Sequence, residues 1–340
     1  MVKDESRPVR IRDVAELAGV SVGTVSNVLN RPESVTEANL AKVRRAMVDL
    51  GFVRNDVARQ LRQGVNPTFG LVALSLTNPF FGGIAHAAQL IAEESGHTVV
   101  VGSSDQNRSR EDRYVDLFAQ QRVQGLIIAP VEGVSARLDA MRAHGTPVVI
   151  LGSTADSRYS SVQLDGITAG YVAVRHLVEG GRRSIAFAGG PLQQVVDRLT
   201  GASRAARDFP GTSLTVMETA DLSVTEGRHL GDRLAAMDPA HRPDAVFAAN
   251  DLLAVGILQA LLASPQVRVP EDIALVGYDD IDFARSTTVP LTTIAQPTER
   301  IAREAIRMLT EESADPRGYK HEHLLLEPGL IVRASSAPKV

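Results

Sequence analysis

Ile11-Arg12-Asp13-Val14-Ala15-Glu16-Leu17-Ala18-Gly19-Val20-Ser21-Val22-Gly23-Thr24-Val25-Ser26-Asn27-Val28-Leu29-Asn30 is the stretch that decides how the N-terminal part of this chain folds. Apolar residues at 11, 14, 15, 17 and 18 predict a short helix that Gly19 breaks. Ser21 is placed to cap a second helix whose buried side is Val25, Val28 and Leu29. A third follows, with Thr36 as its cap and Leu40, Val43, Met47 and Leu50 spaced by three, four and three, ending at Gly51. Ala15, Ala18 and Gly19 are small enough to let the first two helices cross closely. The second helix then keeps an exposed face rich in Ser, Thr and Asn. That is the pattern of a helix-turn-helix, whose second helix lies in the DNA major groove.

The rest of the composition agrees. The chain has 340 residues, 44% hydrophobic and 22% charged, enough for one small and one large domain with a buried core. It has no cysteine, which excludes disulfides, thiolate metal sites and cysteine nucleophiles. The N-terminus carries no apolar stretch of the kind a secretory signal needs, and Gly125–Pro130 and Pro147–Leu151 are far too short to span a bilayer. A cytoplasmic protein without a membrane partner is expected. Residues 1–65 hold eleven Lys/Arg against eight Asp/Glu, a net +3, so the overall −4 leaves −7 for the remainder. A basic head on an acidic body suits a module that approaches DNA beside one that does not.

Residues 11–30, continued by Val35-Thr36, Leu50-Gly51-Phe52 and Asn55 to Leu61, closely resemble the DNA-binding head of the lactose-repressor/galactose-repressor (LacI/GalR) family. Ser21, Thr24, Ser26 and Asn30 are short donors suited to phosphate contacts, which set register without reading sequence. Val22, Gly23 and Asn27 stand where the family reads base edges; Asn can address adenine and Val a thymine methyl. Arg10 departs from the family, which usually has a capping Thr there. Asn55-Asp56-Val57-Ala58-Arg59-Gln60-Leu61-Arg62 resembles the family's hinge helix. A helix that short is marginal alone, so it is expected to form on DNA beside its copy in a dimer. Leu61 matches the family's minor-groove wedge, Asn55 opens the segment and is expected to contact DNA, and Arg59 and Arg62 are expected near phosphates.

Beyond Pro67, short continuous apolar runs alternate with amphipathic segments. The runs are Phe69–Ser75, Thr98–Val101, Gly125–Ala129, Val148–Leu151, Ser184–Ala188, Ala245–Ala248 and Ile273–Gly277. This alternation predicts parallel sheets with crossover helices, and about 270 residues suit two α/β lobes with a cleft between them. Ligands in such folds bind beyond the carboxyl ends of strands. Polar and aromatic residues fall there, in Ser75–Phe81, Asp197-Arg198, Asn250-Asp251 and Tyr278–Asp280. The same segments resemble the family's effector domain, which shares its two-lobed fold with periplasmic sugar-binding proteins. The resemblance implies that Phe80, Phe81, Arg198, Asn250, Asp279 and Gln296 face a small ligand. Each also has a plainer reading: Asn250 as a helix cap, Asp279 as a turn residue, Arg198 as a surface charge, Phe80 as core. Gly152 departs from the Asp that sugar-responsive members often carry, which speaks against a pyranose.

The expected fold is thus a small all-α helix-turn-helix head plus a two-lobed α/β effector domain, periplasmic-binding-protein-like. The expected limits are 1–54 for the head, 55–66 for hinge and linker, and 67–335 for the effector domain. Lobe one is expected over about 67–161 plus 291–320, and lobe two over about 162–290 plus 321–335. No leucine heptad follows the last strand, so a homodimer on palindromic double-stranded operator DNA is the expectation. No H-E-x-x-H, P-loop or G-x-G-x-x-G is present. His321 and His323 lack a third ligand at metal spacing, and no catalytic residue, cofactor or metal is expected. A solute-binding protein of transport type is the alternative, opposed by the helix-turn-helix.

Overall fold

The structure, a computed structural model, describes residues 9–52, 66–191 and 195–338. The chain divides into two units, residues 1–65 and 66–340.

In the first unit, helices α1 (Ile11–Ala18), α2 (Val22–Asn30) and α3 (Glu37–Leu50) pack around Val14, Ala15, Ala18, Val25, Val28, Val43 and Ala46. Gly19 and Gly51 close α1 and α3 in the left-handed conformation, at φ 65 and 62, where an L side chain would be strained. Arg10 begins α1 without a side-chain acceptor. Asp13 compensates by taking the backbone N–H of Arg10 at 2.7 Å, the reciprocal half of a capping box. Thr36 occupies the cap position of α3, but its hydroxyl accepts no backbone N–H, so it caps by backbone conformation alone.

The second unit contains two six-stranded sheets. The first has strands β1 (Asn66–Ala73), β2 (Thr98–Ser103), β3 (Val123–Ile128), β4 (Val148–Leu151), β5 (Ser160–Leu164) and β11 (His323–Leu326), in the order β11-β5-β4-β3-β1-β2. The second has β6 (Ser184–Ala188), β7 (Ser213–Met217), β8 (Ala245–Ala248), β9 (Ala274–Asp279), β10 (Thr292–Ala295) and β12 (Gly329–Ile331), in the order β12-β10-β9-β8-β6-β7. All neighbours are parallel except β10 and β12. The central strands are largely buried, with β8 and β9 showing no exposed position. This is why their sequences run apolar without alternation.

The lobe limits differ from expectation. Residues 292–295 pair with β9 in the second sheet, and residues 323–326 pair with β5 in the first. The chain therefore passes between lobes three times, after Leu164, after Ala295 and after Leu326. Each strand belongs to one lobe and the element after it to the other, so proximity in sequence misassigned β10 and β11.

Helices α4 (Pro79–Glu94), α5 (Arg108–Gln120), α6 (Ala136–Ala143) and α12 (Thr298–Ala314) cover the first sheet. Around the second lie α7 (Gly166–Glu179), α8 (Val196–Asp208), α9 (Val224–Ala236), α10 (Asp251–Ala263) and the short α11 (Asp282–Ser286). One of these pairs, α7 on α8, crosses on a glycine from each helix. A Cβ on Gly170 of α7 would stand 2.0 Å from the carbonyl oxygen of Arg198, and one on Gly201 of α8 would stand 1.9 Å from that of Ile167. Real atoms cannot approach so closely, so backbone-to-backbone packing of α7 on α8 is what seats Arg198 at the start of its helix.

Candidate nucleic-acid interface and candidate ligand cleft

On α2, burial of Val25 and Val28 turns Val22, Gly23, Asn27 and Asn30 outward, with Ser26 half-buried beside them. Ser21 caps the helix, its Oγ accepting from Thr24 N–H at 3.1 Å, and the two hydroxyls bond each other at 2.9 Å. Asn30 donates through Nδ2 to the carbonyl of Ser26 at 2.8 Å and to its hydroxyl at 3.3 Å. These four short polar groups are thus pre-oriented by one another. The Asn27 amide is different: it is exposed and makes no hydrogen bond among the described residues. Asn55, Arg59, Leu61 and Arg62 lie outside the described residues.

In the second unit, the carboxyl ends of both sheets face a cleft of about 990 Å³. Lobe one contributes Leu74, Phe81, residues 130–133, Leu151 and Gln163; lobe two contributes Arg198 and Tyr278. A recess of about 230 Å³ adjoins it, and Phe80, Phe81, Arg198, Asn250, Asp279 and Gln296 all line that recess. The six residues singled out from sequence are therefore brought together, although the segments bearing them are far apart in the chain.

Asp279 is the centre of the recess. Its backbone has φ 116 and the next residue φ 57, conformations that cost about 1–3 kcal/mol each and are held only where the surroundings impose them. Its carboxylate accepts from Asn78 Nδ2 at 3.1 Å and from Gln296 Nε2 at 2.7 Å. Burial raises the carboxyl's pKa, against the opposing pull of nearby Arg198 and the two amide donors. Asp251 braces the strained turn. One of its oxygens accepts from Ile281 N–H at 3.0 Å, and the other from the Thr293 hydroxyl at 2.6 Å. Burial, then the charge of Asp279, pushes the Asp251 carboxyl up to about 8.

The guanidinium of Arg198 lies 3.7 Å over the ring of Tyr278 and donates to the carbonyl of Ala249. No carboxylate lies within ion-pair distance of it among the described residues, although its charge still acts on Asp279. Asn250 is buried and doubly engaged. Its Oδ1 caps α10 through Leu253 N–H at 2.9 Å, and its Nδ2 donates to the carbonyl of Leu222 at 3.1 Å. The helix-cap reading of Asn250 thus stands beside its place in the recess. Phe80 packs against the apolar cores of both lobes while lining the recess. Gly152 has φ 123 with open space where a Cβ would point.

Sequence reasoning passed over Asn78, Asp251, Gln106 and Gln163. The first two sit inside segments it did single out. Gln163 belongs to β5, whose mixed Ser-Ser-Val-Gln-Leu composition gives no strand signal. Among the described residues no three His, Asp or Glu side chains gather as a metal site. His321 is bound to Arg142 and near Ser160, and His323 to Ser161 at 2.9 Å. No helix among the described residues is long and apolar enough to cross a membrane.

A helix-turn-helix head and a two-lobed cleft module in one chain define a ligand-responsive, DNA-binding regulator of transcription. The family model described as "Bacterial regulatory proteins, lacI family" matches residues 10–55, and that of the periplasmic binding protein-like domain matches residues 174–336. The HTH-type transcriptional repressor PurR of Photobacterium profundum is 32% identical over 96% of this chain and 98% of its own. The ribose operon repressor of Escherichia coli is 32% identical over 96% of this chain and 99% of its own. Among solved structures, the lac repressor dimer bound to operator and the anti-inducer ONPF aligns with a TM-score of 0.81 at 29% identity. It covers 97% of this chain and 100% of that one. The chain belongs to the lacI family of bacterial regulatory proteins.

Proposed function

We propose that this protein is a cytoplasmic repressor that binds a palindromic operator as a homodimer and is switched by a sugar, a sugar derivative or a nucleoside-like metabolite. It binds its ligand without turning it over. The observation that carries the DNA half is the exposed, unbonded Asn27 amide on the outer face of α2. One N–H and one carbonyl oxygen side by side match the edge of adenine in the major groove, a pairing worth about 1–3 kcal/mol of discrimination. Val22 and Gly23 flank it. Ser21, Thr24, Ser26 and Asn30 reach phosphates and set the register. Asn55, Arg59, Leu61 and Arg62 form the hinge that pairs with its copy over the minor groove.

In the cleft, ring faces of Phe80 and Phe81 cover the apolar side of the ligand, and Arg198, Asp279 and Gln296 bond its polar groups. Asn250 adds whatever donor and acceptor capacity its cap leaves unused. One of the 32% identical relatives is a ribose operon repressor. D-ribose is therefore the first probe. Ligand that favours one lobe arrangement changes operator affinity, and operator changes ligand affinity by the same factor.

Selection of genomic fragments on the purified protein at near-physiological salt, followed by sequencing, tests this. A recovered palindrome is expected; no enrichment with or without metabolite extract would overturn the operator reading.

A further inference from the structure

Residues 130–133, one wall of the cleft, leave the first sheet after β3. The last sheet bond on this path runs from Ala129 N–H to the carbonyl of Val72 at 2.9 Å. What holds the next residues is a side chain that never touches the cleft. Glu111 of α5 is completely buried, and its Oε2 accepts the backbone N–H of Val131 at 2.7 Å. Its Oε1 accepts from Arg108 Nη1 at 2.8 Å, and the same nitrogen reaches the carbonyl of Gly133 at 3.4 Å. The wall is thus pinned at two points by one ion pair. Val131 and Gly133, the pinned residues, and Pro130 and Glu132 beside them all line the cleft.

A buried carboxylate is a costly way to satisfy one amide. Desolvation raises the Glu111 pKa, and only the Val131 N–H and Arg108 pull it back. A neutral glutamine would satisfy the same N–H. The charge instead gives a shorter, stiffer bond where the wall has no sheet pairing of its own.

We propose that Glu111 is a positioning residue of the effector site: it fixes the backbone of residues 130–133 and through it the shape of the cleft. This rests on the cleft being the effector site. Neither variant below removes a residue that faces the cleft. Glu111→Gln keeps an acceptor for Val131 N–H and gives up the charge; Glu111→Leu gives up both.

Hydrogen exchange of the full-length protein, read on peptides spanning 129–135 and, as reference, 123–128, tests the proposal without any ligand. Glu111→Leu should speed exchange of the wall peptide about tenfold or more while the β3 peptide stays within about twofold, with Glu111→Gln in between. D-ribose titration of the same proteins should show affinity falling in the same order. Unchanged wall exchange in Glu111→Leu would overturn the proposal. So would faster exchange with undiminished ribose affinity. If Glu111→Leu fails to fold, Glu111→Gln decides, because wall and reference loosening together would mark a general structural role. If the unaltered protein takes no D-ribose, the ribose reading fails, while the exchange data still decide whether Glu111 sets the wall.

Discussion

The side-chain amide of Asn78, at the start of α4 in lobe one, donates to the carboxylate of Asp279, at the end of β9 in lobe two, across 3.1 Å and 201 positions of sequence. Asn78 also caps α4, accepting Phe80 N–H at 3.0 Å, so one residue both starts a helix and ties the lobes. The two roles separate by mutation. Asn78→Asp keeps the cap oxygen but sets a second carboxylate against Asp279. Small-angle scattering of the ligand-free protein should then give a larger radius of gyration than the parent, with Asn78→Ser intermediate. A lost bond to a charged group is worth about 1.5–3 kcal/mol. An unchanged radius would mean that other contacts hold the lobes.

Asp251 makes the stability of the second unit depend on pH. Its carboxyl goes from an ordinary 3.8 to about 8 on folding. Because the folded value is the higher one, its contribution is complete below 3.8 and is lost as pH rises through about 8. Between about pH 5 and about pH 8 the parent's melting temperature should fall relative to that of Asp251→Asn. Asn keeps an acceptor for Ile281 N–H and can donate to the Thr293 hydroxyl, but it does not titrate, so the comparison lies in the slope. Parallel slopes would refute the burial argument.

At the DNA face, Asn27→Ala should relax the preference at one base pair per half-site by about 1–3 kcal/mol while leaving the salt-dependent, non-specific affinity nearly unchanged. Gly23→Ala tests the neighbouring position. A Cβ there meets only Ser21 Oγ, at 3.6 Å, so the head should melt higher by about 0.5–1 kcal/mol equivalent, as alanine usually does in a helix. Any change in operator preference then reports the added methyl. Loss of melting temperature in Gly23→Ala would count against this packing.

Gly170→Ala forces α7 and α8 apart, since the new methyl falls 2.0 Å from the Arg198 carbonyl. Overpacking of this kind costs about 1–3 kcal/mol or more. The melting temperature of the second unit should drop, and D-ribose affinity with it as Arg198 moves off Tyr278. A melting temperature equal to the parent's would show slack between the helices.

Much of this was legible before any coordinates, and the exceptions have physical reasons. Val148–Leu151, Ser184–Ala188 and Ala245–Ala248 match their strands to the residue because they are buried on both faces and bounded by turn residues. Edge strands β7 and β11 carry exposed positions and so lose the continuous apolar texture. Segments beyond strand ends could be singled out because ligands sit there, and the six recess residues were named through the resemblance to the LacI/GalR family. Their partners Asn78 and Asp251 could not, since which polar side chain faces which is a property of the packed turn. Glu111 was invisible for the opposite reason: on an amphipathic helix a glutamate reads as solvent-facing, and only the missing sheet pairing of Val131 shows why it is buried.

The three passages between lobes also dictate the order in which the chain can be completed on the ribosome. Lobe one needs α12, whose Ile301, Ala305, Met308 and Leu309 complete its core, and its edge strand β11, which ends at Leu326. Lobe two needs β12, which ends at Ile331. Neither lobe has all its strands until the chain has passed Leu326 and Ile331 respectively. The apolar faces that α12 covers therefore stay bare until residues 298–314 have left the ribosome, an interval in which exposed apolar surface invites misassembly.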